Sequence, residues 1–178
     1  ALSMTHISAP LDLPEITSVL RSTPILLQQL AAVLPGRVVV WHPSDGKWRV
    51  KEIVGHLIEE DKRDFVDRIR FMLDQDEPRL SVNDQDEVAR KRNDCAKDLR
   101  GLLDEFSAVR SSSASFVSAL KEPELSRGGV HPKIGRMSVR NLLNEWIYHD
   151  LNHIRQIDAN VQRFLWTHLG NMQQFYKS

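Results

Sequence analysis

The chain has 178 residues, enough for one domain with a substantial core, and it carries 24 Lys and Arg against 24 Asp and Glu. Without a net basic field it is not built to hold nucleic acid or an anionic membrane. Cys95 is the only cysteine, so no intramolecular disulfide framework forms, which agrees with a reducing, cytoplasmic setting. No run approaches the ~20 apolar residues of a transmembrane helix, and the N-terminal "ALSMTHISAPLDLPE" has no basic start followed by an apolar stretch.

Helical periodicity predicts four long segments in an all-α chain, because no stretch alternates with strand period over a useful length. The first runs from about Pro14 to Leu34 and stops at Pro35 and Gly36. "VVVWHP" follows as an extended connector, since it has no second run to pair with. The second helix spans about Val50 to Leu73, with Val50, Ile53, Val54, Leu57, Ile58, Phe65, Ile69 and Met72 on one face. Arg49 stands where a capping side chain is wanted, so the start of this helix must be satisfied in another way.

A third helix begins near Glu87 or Asp94 and ends at Leu120, presenting Leu99, Leu102, Leu103, Phe106, Val109 and Phe116. The mixed-charge "DQDEVARKRNDCAKD" reads as a solvated face or connector. "KEPELSRGGVHPKIGRM", with two prolines and three glycines, is a loop, and Ser138 is the N-cap of a fourth helix from Val139 to about Leu169. Four amphipathic helices with long connectors predict a four-helix bundle of uncertain order. The apolar arcs on the second and fourth helices are wider than one seam requires, which predicts a homodimer.

The fourth helix carries "IYHDLNHIRQI". At about 100° per residue, Leu142, Trp146, His149, His153 and Asn160 share a narrow inward stripe. His56 lies beside the apolar face of the second helix. Two histidines at i and i+4 with a third from a neighbouring helix can fill three corners around a divalent ion and leave a position for water or substrate. The alternative is three separate buried hydrogen bonds. The motif argues against a zincin-type protease: "HDLNH" has Asp150 in place of the glutamate base, and Ala159 stands where the longer motif needs a third histidine.

"WHPSDGKWRVKEIVGHLIEEDKRDFVDRIRFML" together with "GGVHPKIGRMSVRNLLNEWIYHDLNHIRQI" resembles the DinB-like superfamily, which includes the YfiT-type proteins and bacillithiol- and mycothiol-dependent S-transferases. The resemblance implies a four-helix bundle of DinB/YfiT type, with a metal held by His56, His149 and His153. Zinc, nickel, iron and copper all accept imidazole, and the first three are the expected ions. Glu60 and Asp64 share the His56 side of their helix and are the candidate general bases. Asp61 falls within the apolar arc, where it needs an arginine partner, and Arg68 is the nearest candidate. His131 is expected to shape a loop at the mouth of the site, and Asp150 to orient its neighbours.

An ion held by three imidazoles can act as a Lewis acid and lower the pKa of a bound water or thiol. The favoured reading is a thiol S-transferase that joins a low-molecular-weight thiol to a small electrophile. Metal-dependent hydrolysis of a small substrate and a non-enzymatic metal-binding stress or interaction protein are the alternatives.

Overall fold

The computed structural model describes residues 9–176, so His6 and most of the N-terminal segment discussed above lie outside the described residues. Helix α1, Leu13–Ala31, opens on a reciprocal cap: Asp12 accepts the Glu15 N–H, and Glu15 accepts that of Asp12. It ends three residues before the predicted Leu34. The expected extended connector is instead a one-turn helix, α2, Gly36–Val39, which turns Val38 and Val39 inward. Burial of two β-branched side chains outweighs their strand preference.

The predicted second helix is continuous in direction but not in type. Helix α3, Val50–Glu59, passes into a π-helical stretch, Glu60–Asp67, and resumes as α4, Arg68–Asp74. The Glu52 carboxylate accepts the Arg49 N–H at 2.7 Å, which satisfies the start of α3 without a capping serine. The predicted third helix is two elements, α5, Gln85–Arg92, and α6, Leu99–Ser118, separated by a 3₁₀ turn at Asp94–Ala96. Asn93, in the left-handed region at φ 49°, ends α5, and Asp98 caps α6 by accepting the Gly101 N–H. The charge-rich stretch offers no apolar side to extend α6 backwards.

The Gly- and Pro-rich loop is partly ordered as an antiparallel hairpin, β1, Gly128–His131, with β2, Gly135–Ser138. A Cβ on Gly128 would lie 2.6 Å from the Met137 carbonyl oxygen, so the strands approach this closely only because position 128 is glycine. Two such short strands lack the alternation that would announce them. Ser138 caps α7, Val139–Trp166, as predicted, by accepting the Asn141 N–H.

Helices α1 and α3 each pack against both α6 and α7 and so sit diagonally in the bundle. This order departs from a simple up-down bundle, which the long connectors permit. No helix among the described residues is long and apolar enough to cross a membrane.

Two apolar clusters fill the interior. One gathers Ile16, Leu20, Phe65, Ile69, Leu142 and Trp146, and the other Leu27, Ile53, Leu57, Phe106 and Ile157. Between them lies a polar layer centred on Arg110 of α6, which is 1% exposed. Its guanidinium uses all five N–H groups: on the Leu20 carbonyl of α1, both oxygens of Asp61 in the π-helical stretch, and both oxygens of Asp150 on α7. Thr23 and Trp146 donate to the same two carboxylates. Arg110, not Arg68, is therefore the partner of Asp61. Arg68 pairs with Asp64 one turn back on its own helix.

Replacing Arg110 with Met strands two buried carboxylates and should cost about 3–5 kcal/mol in urea unfolding. Converting Asp61 and Asp150 to Asn in the same chain should recover part of that loss, since the uncompensated charge is then gone.

Candidate metal centre

His56 is carried by α3, and His149 and His153 stand one turn apart on α7. Their Nε2 atoms converge: that of His149 lies 3.1 Å from that of His56 and 3.2 Å from that of His153. The candidate ligand atoms of the three all lie within 4.8 Å of one another. His56 and His153 are buried, and His149 nearly so.

Packing holds the rings. Trp48 lies 4.6 Å from the His56 ring and stacks on His153 at 6.2 Å, while Phe65 meets His149 edge-on at 5.5 Å. Asn160, next on the inward stripe of α7, donates to the Trp48 carbonyl at 2.9 Å and so ties that connector down over the site. Phe65 is stacked on Trp146, whose indole N–H reaches Asp61, so the rings rest on the Arg110 layer.

Burial and the two neighbouring imidazoles push His56 down to about 2. Burial, His153 and Arg110 push His149 down to about 3, and burial lowers His153 against the opposing pull of Gln156. The three rings are thus neutral at ordinary pH, the state in which imidazole binds metal. Gln156 fixes the tautomer of one of them. Its Oε1 lies 2.8 Å from His153 Nδ1 and can only accept, so the proton sits on Nδ1 and the Nε2 lone pair faces the other two rings.

This donor set fits a divalent transition ion. One hydrogen on His149 Nε2 can serve only one of its two Nε2 neighbours, whereas a cation among them serves all three lone pairs. His149 Nδ1 is buried without a hydrogen-bond partner, so no second group dictates that ring's proton. The triad could hold zinc, nickel or iron equally well on donor chemistry.

Glu60 is the other group at the centre. Its carboxyl is 8% exposed and lies 3.8 Å from His56 Nδ1 and 4.0 Å from His149 Nε2. Burial raises its pKa to about 9; Asp64 and Glu145 push the same way, against Arg68. Asp64 stands behind it, paired with Arg68 and accepting from Asn83 Nδ2 at 3.1 Å. Both carboxyls come from the π-helical stretch, whose wider turn lets Glu60 and Asp64 face the triad while Asp61 faces Arg110.

Comparison with known proteins places this geometry in a family. The DinB superfamily model matches residues 20–157, well over half of the chain. The chain belongs to the DinB superfamily. Among curated relatives it is 22% identical over 150 residues to the "Putative metal-dependent hydrolase YfiT" of Bacillus subtilis, covering 84% of each. It is 23% identical over 148 residues to another "Putative metal-dependent hydrolase", from Bacillus licheniformis, covering 83% of this chain and 84% of that one. The solved structure of Bacillus subtilis YfiT superposes with a TM-score of 0.78 at 20% identity, over 93% of this chain and 96% of that one. Its title describes "a probable metal-dependent hydrolase with an unusual four-helix bundle topology", and the likeness establishes that topology for this DinB member.

The remaining predicted residues fall elsewhere. His131 ends β1, where its Nδ1 accepts the Lys133 N–H at 3.2 Å, within the hairpin turn. Asp150 points away from the triad to Arg110 and Thr23. His168 packs near Phe164, and His42 accompanies the Ser44 carbonyl. Sequence reasoning passed over Arg110 and Gln156. Both had a signal: Arg110 continues the stripe of Leu103 and Phe106 towards Ser113 and Val117, and Gln156 follows His153 by the three residues of a helix-face pair.

Gln156→Ala should weaken metal binding about 10- to 100-fold in a chelator competition, while His168→Ala leaves it unchanged. The histidines also set a pH dependence. Their folded pKa values lie below the ordinary ~6.5, so the unfolded chain takes up protons first and metal-free protein should melt at progressively lower temperature as pH falls below about 6.5. Glu60 has the opposite sign. Its raised pKa is a cost that grows as pH rises from about 4.5 towards 9, so Glu60→Gln should raise the melting temperature of metal-free protein at pH 8 and have little effect at pH 4.

Proposed function

We propose that this protein is a metal-dependent hydrolase of a small substrate, with His56, His149 and His153 as ligands and Glu60 as the proton-transferring group. The observation that carries the reading is the Glu60 carboxyl, nine-tenths buried and about 4 Å from two of the three imidazoles. The names of the two Bacillus relatives point the same way. A divalent ion supplies Lewis-acid polarisation of a carbonyl and acidifies a bound protic ligand.

The chain's own groups do the rest. With the burial that keeps Glu60 protonated offset by a divalent cation on the triad, the carboxylate so formed accepts the proton of the attacking water and returns it to the leaving group, with Asp64 behind it. Arg68 holds Asp64 in place and keeps the pair of carboxyls from repelling each other apart. Trp48 and Phe65 close two sides of the centre to bulk water.

The all-imidazole donor set favours a second reading, thiol transfer. Three neutral ligands leave the ion its full positive charge, which suits an anionic sulfur ligand.

Protein purified without added metal should contain zinc, nickel or iron, and alanine at His56, His149 or His153 should remove it. Glu60→Gln should keep the metal and lower ester or amide turnover about 10²- to 10⁴-fold. If small esters and amides are inert while bacillithiol, mycothiol, glutathione or cysteine gives a cobalt-substituted sample sulfur-to-metal charge-transfer absorption, transfer replaces hydrolysis. Full metal content in all three alanine variants would overturn the centre itself.

A further inference from the structure

The connector between α4 and α6 is the part of the molecule that the core does not hold. From Ser81 to Asn93 no residue is buried, whereas Leu80 and Asp94 at its two ends are 5% and 2% exposed. Helix α5 contributes to neither apolar cluster. Its side towards α3 and the π-helical stretch is a cleft of about 330 Å³, lined among others by Arg63, Asn83, Glu87 and Val88. On its other side a cleft of about 340 Å³ separates it from Trp48 and Glu52. A helix undercut on both sides rests on a narrow seam.

The ties that hold it are polar. Arg68 donates to the Ser81 carbonyl at 3.0 Å, Asn83 to Asp64 at 3.1 Å, and Arg92 to Glu59 at 2.7 Å and Asp94 at 2.8 Å. The Arg68 and Asn83 ties are single hydrogen bonds, and a segment held by such ties opens at low cost. Arg92, its side chain 11% exposed and bonded also to Glu105, belongs instead with the firm anchor at Asp94. Both ends have firm anchors. The Leu80 N–H is bonded to the Val130 carbonyl of the hairpin, and the Asp94 carboxylate sits against Gly55 of α3, where a Cβ would collide with it.

What the segment covers is the His56 and Glu60 side of the metal centre. The cleft that reaches His56 is bounded by Glu60 and Asp64 on one side and by Asn83, Gln85 and Val88 on the other. It holds about 10 Å³, room for no more than one water, whereas sites for small organic ligands run to roughly 300 Å³ or more. No substrate enters beside His56 with the segment where it lies.

We propose that residues 81–93 form a flap over the metal centre, seen here closed, which swings between anchors at Leu80 and Asp94 and is caught by the Asn83–Asp64 hydrogen bond. Opening joins the space at His56 to the 330 Å³ cleft beside it, since Asn83 and Val88 line both. Closing over a bound substrate, short of the position seen here, lays Gln85 and Val88 against it and removes water from around Glu60. The inference rests on the metal reading of the triad but not on hydrolysis, and it can be tested without turnover.

The test measures how fast a chromogenic chelator strips zinc from fully loaded protein. Asn83→Ala should speed stripping about five- to tenfold, as expected for loss of one hydrogen bond, with equilibrium zinc affinity held within about twofold. A Cys95→Ser, Arg63→Cys, Glu87→Cys chain, bridged across the cleft by a reducible bis-methanethiosulfonate, should release zinc about tenfold or more slowly, and a phosphine reductant should restore the rate. Equal rates with and without the bridge overturn the flap and direct exchange past Glu145 instead. Hydrogen exchange gives a readout independent of metal: amides of α5 should exchange at least about a hundredfold faster than those of α6, and the bridge should slow them. Slow exchange throughout α5 in the unbridged protein overturns the flap, while failure to bind any zinc with fast, bridge-sensitive exchange overturns only the metal reading.

Discussion

One guanidinium touches every long helix of the bundle. Arg110 is carried by α6 and bonds the backbone of α1, the π-helical stretch after α3 and the fourth helix α7. A buried charge is costly unless each of its donors and each facing acceptor is satisfied, and here all five N–H groups are used. That requirement is directional, so it specifies the register of four helices relative to one another more sharply than apolar packing can. The histidine centre inherits this precision through Asp61, Trp146 and Phe65, a chain of contacts that ends on the His149 ring.

The π-helical stretch divides the labour among three carboxyls within five residues. Asp61 serves the structural layer, while Glu60 lies beside the histidines with Asp64 behind it. A regular α-helix rotates Asp64 about 40° further round from Glu60 than a whole turn, whereas the wider π turn keeps the two closer to one face. The cost falls on stability. Three histidines and a carboxyl with a raised pKa are buried side by side, the histidines held in the neutral state that metal binding requires.

Core and cover are made of different material. The helices that carry the triad bury Ile53, Leu57, Leu142 and Ile157, whereas the segment beside His56 buries nothing between Leu80 and Asp94. Rigid ligands under a loosely held cover are what a centre needs if its ligands must stay positioned while small molecules come and go.

Periodicity alone set the helical class, the inward stripe of His149 and His153, and the place of His56 beside an apolar face, because these depend on angles along a single helix. Ser138 as a cap was readable for the same local reason. The partner of Asp61 was not, since Arg68 is near in sequence and Arg110 near in space, and only the order of helices decides between them. The hairpin at Gly128–Ser138, the split of the third helix at Asn93 and the π-helical stretch were likewise hidden, being set by contacts with Pro78, Gly55 and Arg110 from elsewhere in the chain. The sequence by itself determined which faces turn inward and which side chains could bind a metal. Only the tertiary structure decided that three Nε2 atoms meet, that Arg110 answers Asp61, and that a polar segment lies beside His56 and Glu60, because those facts belong to distances between helices that no single helix encodes.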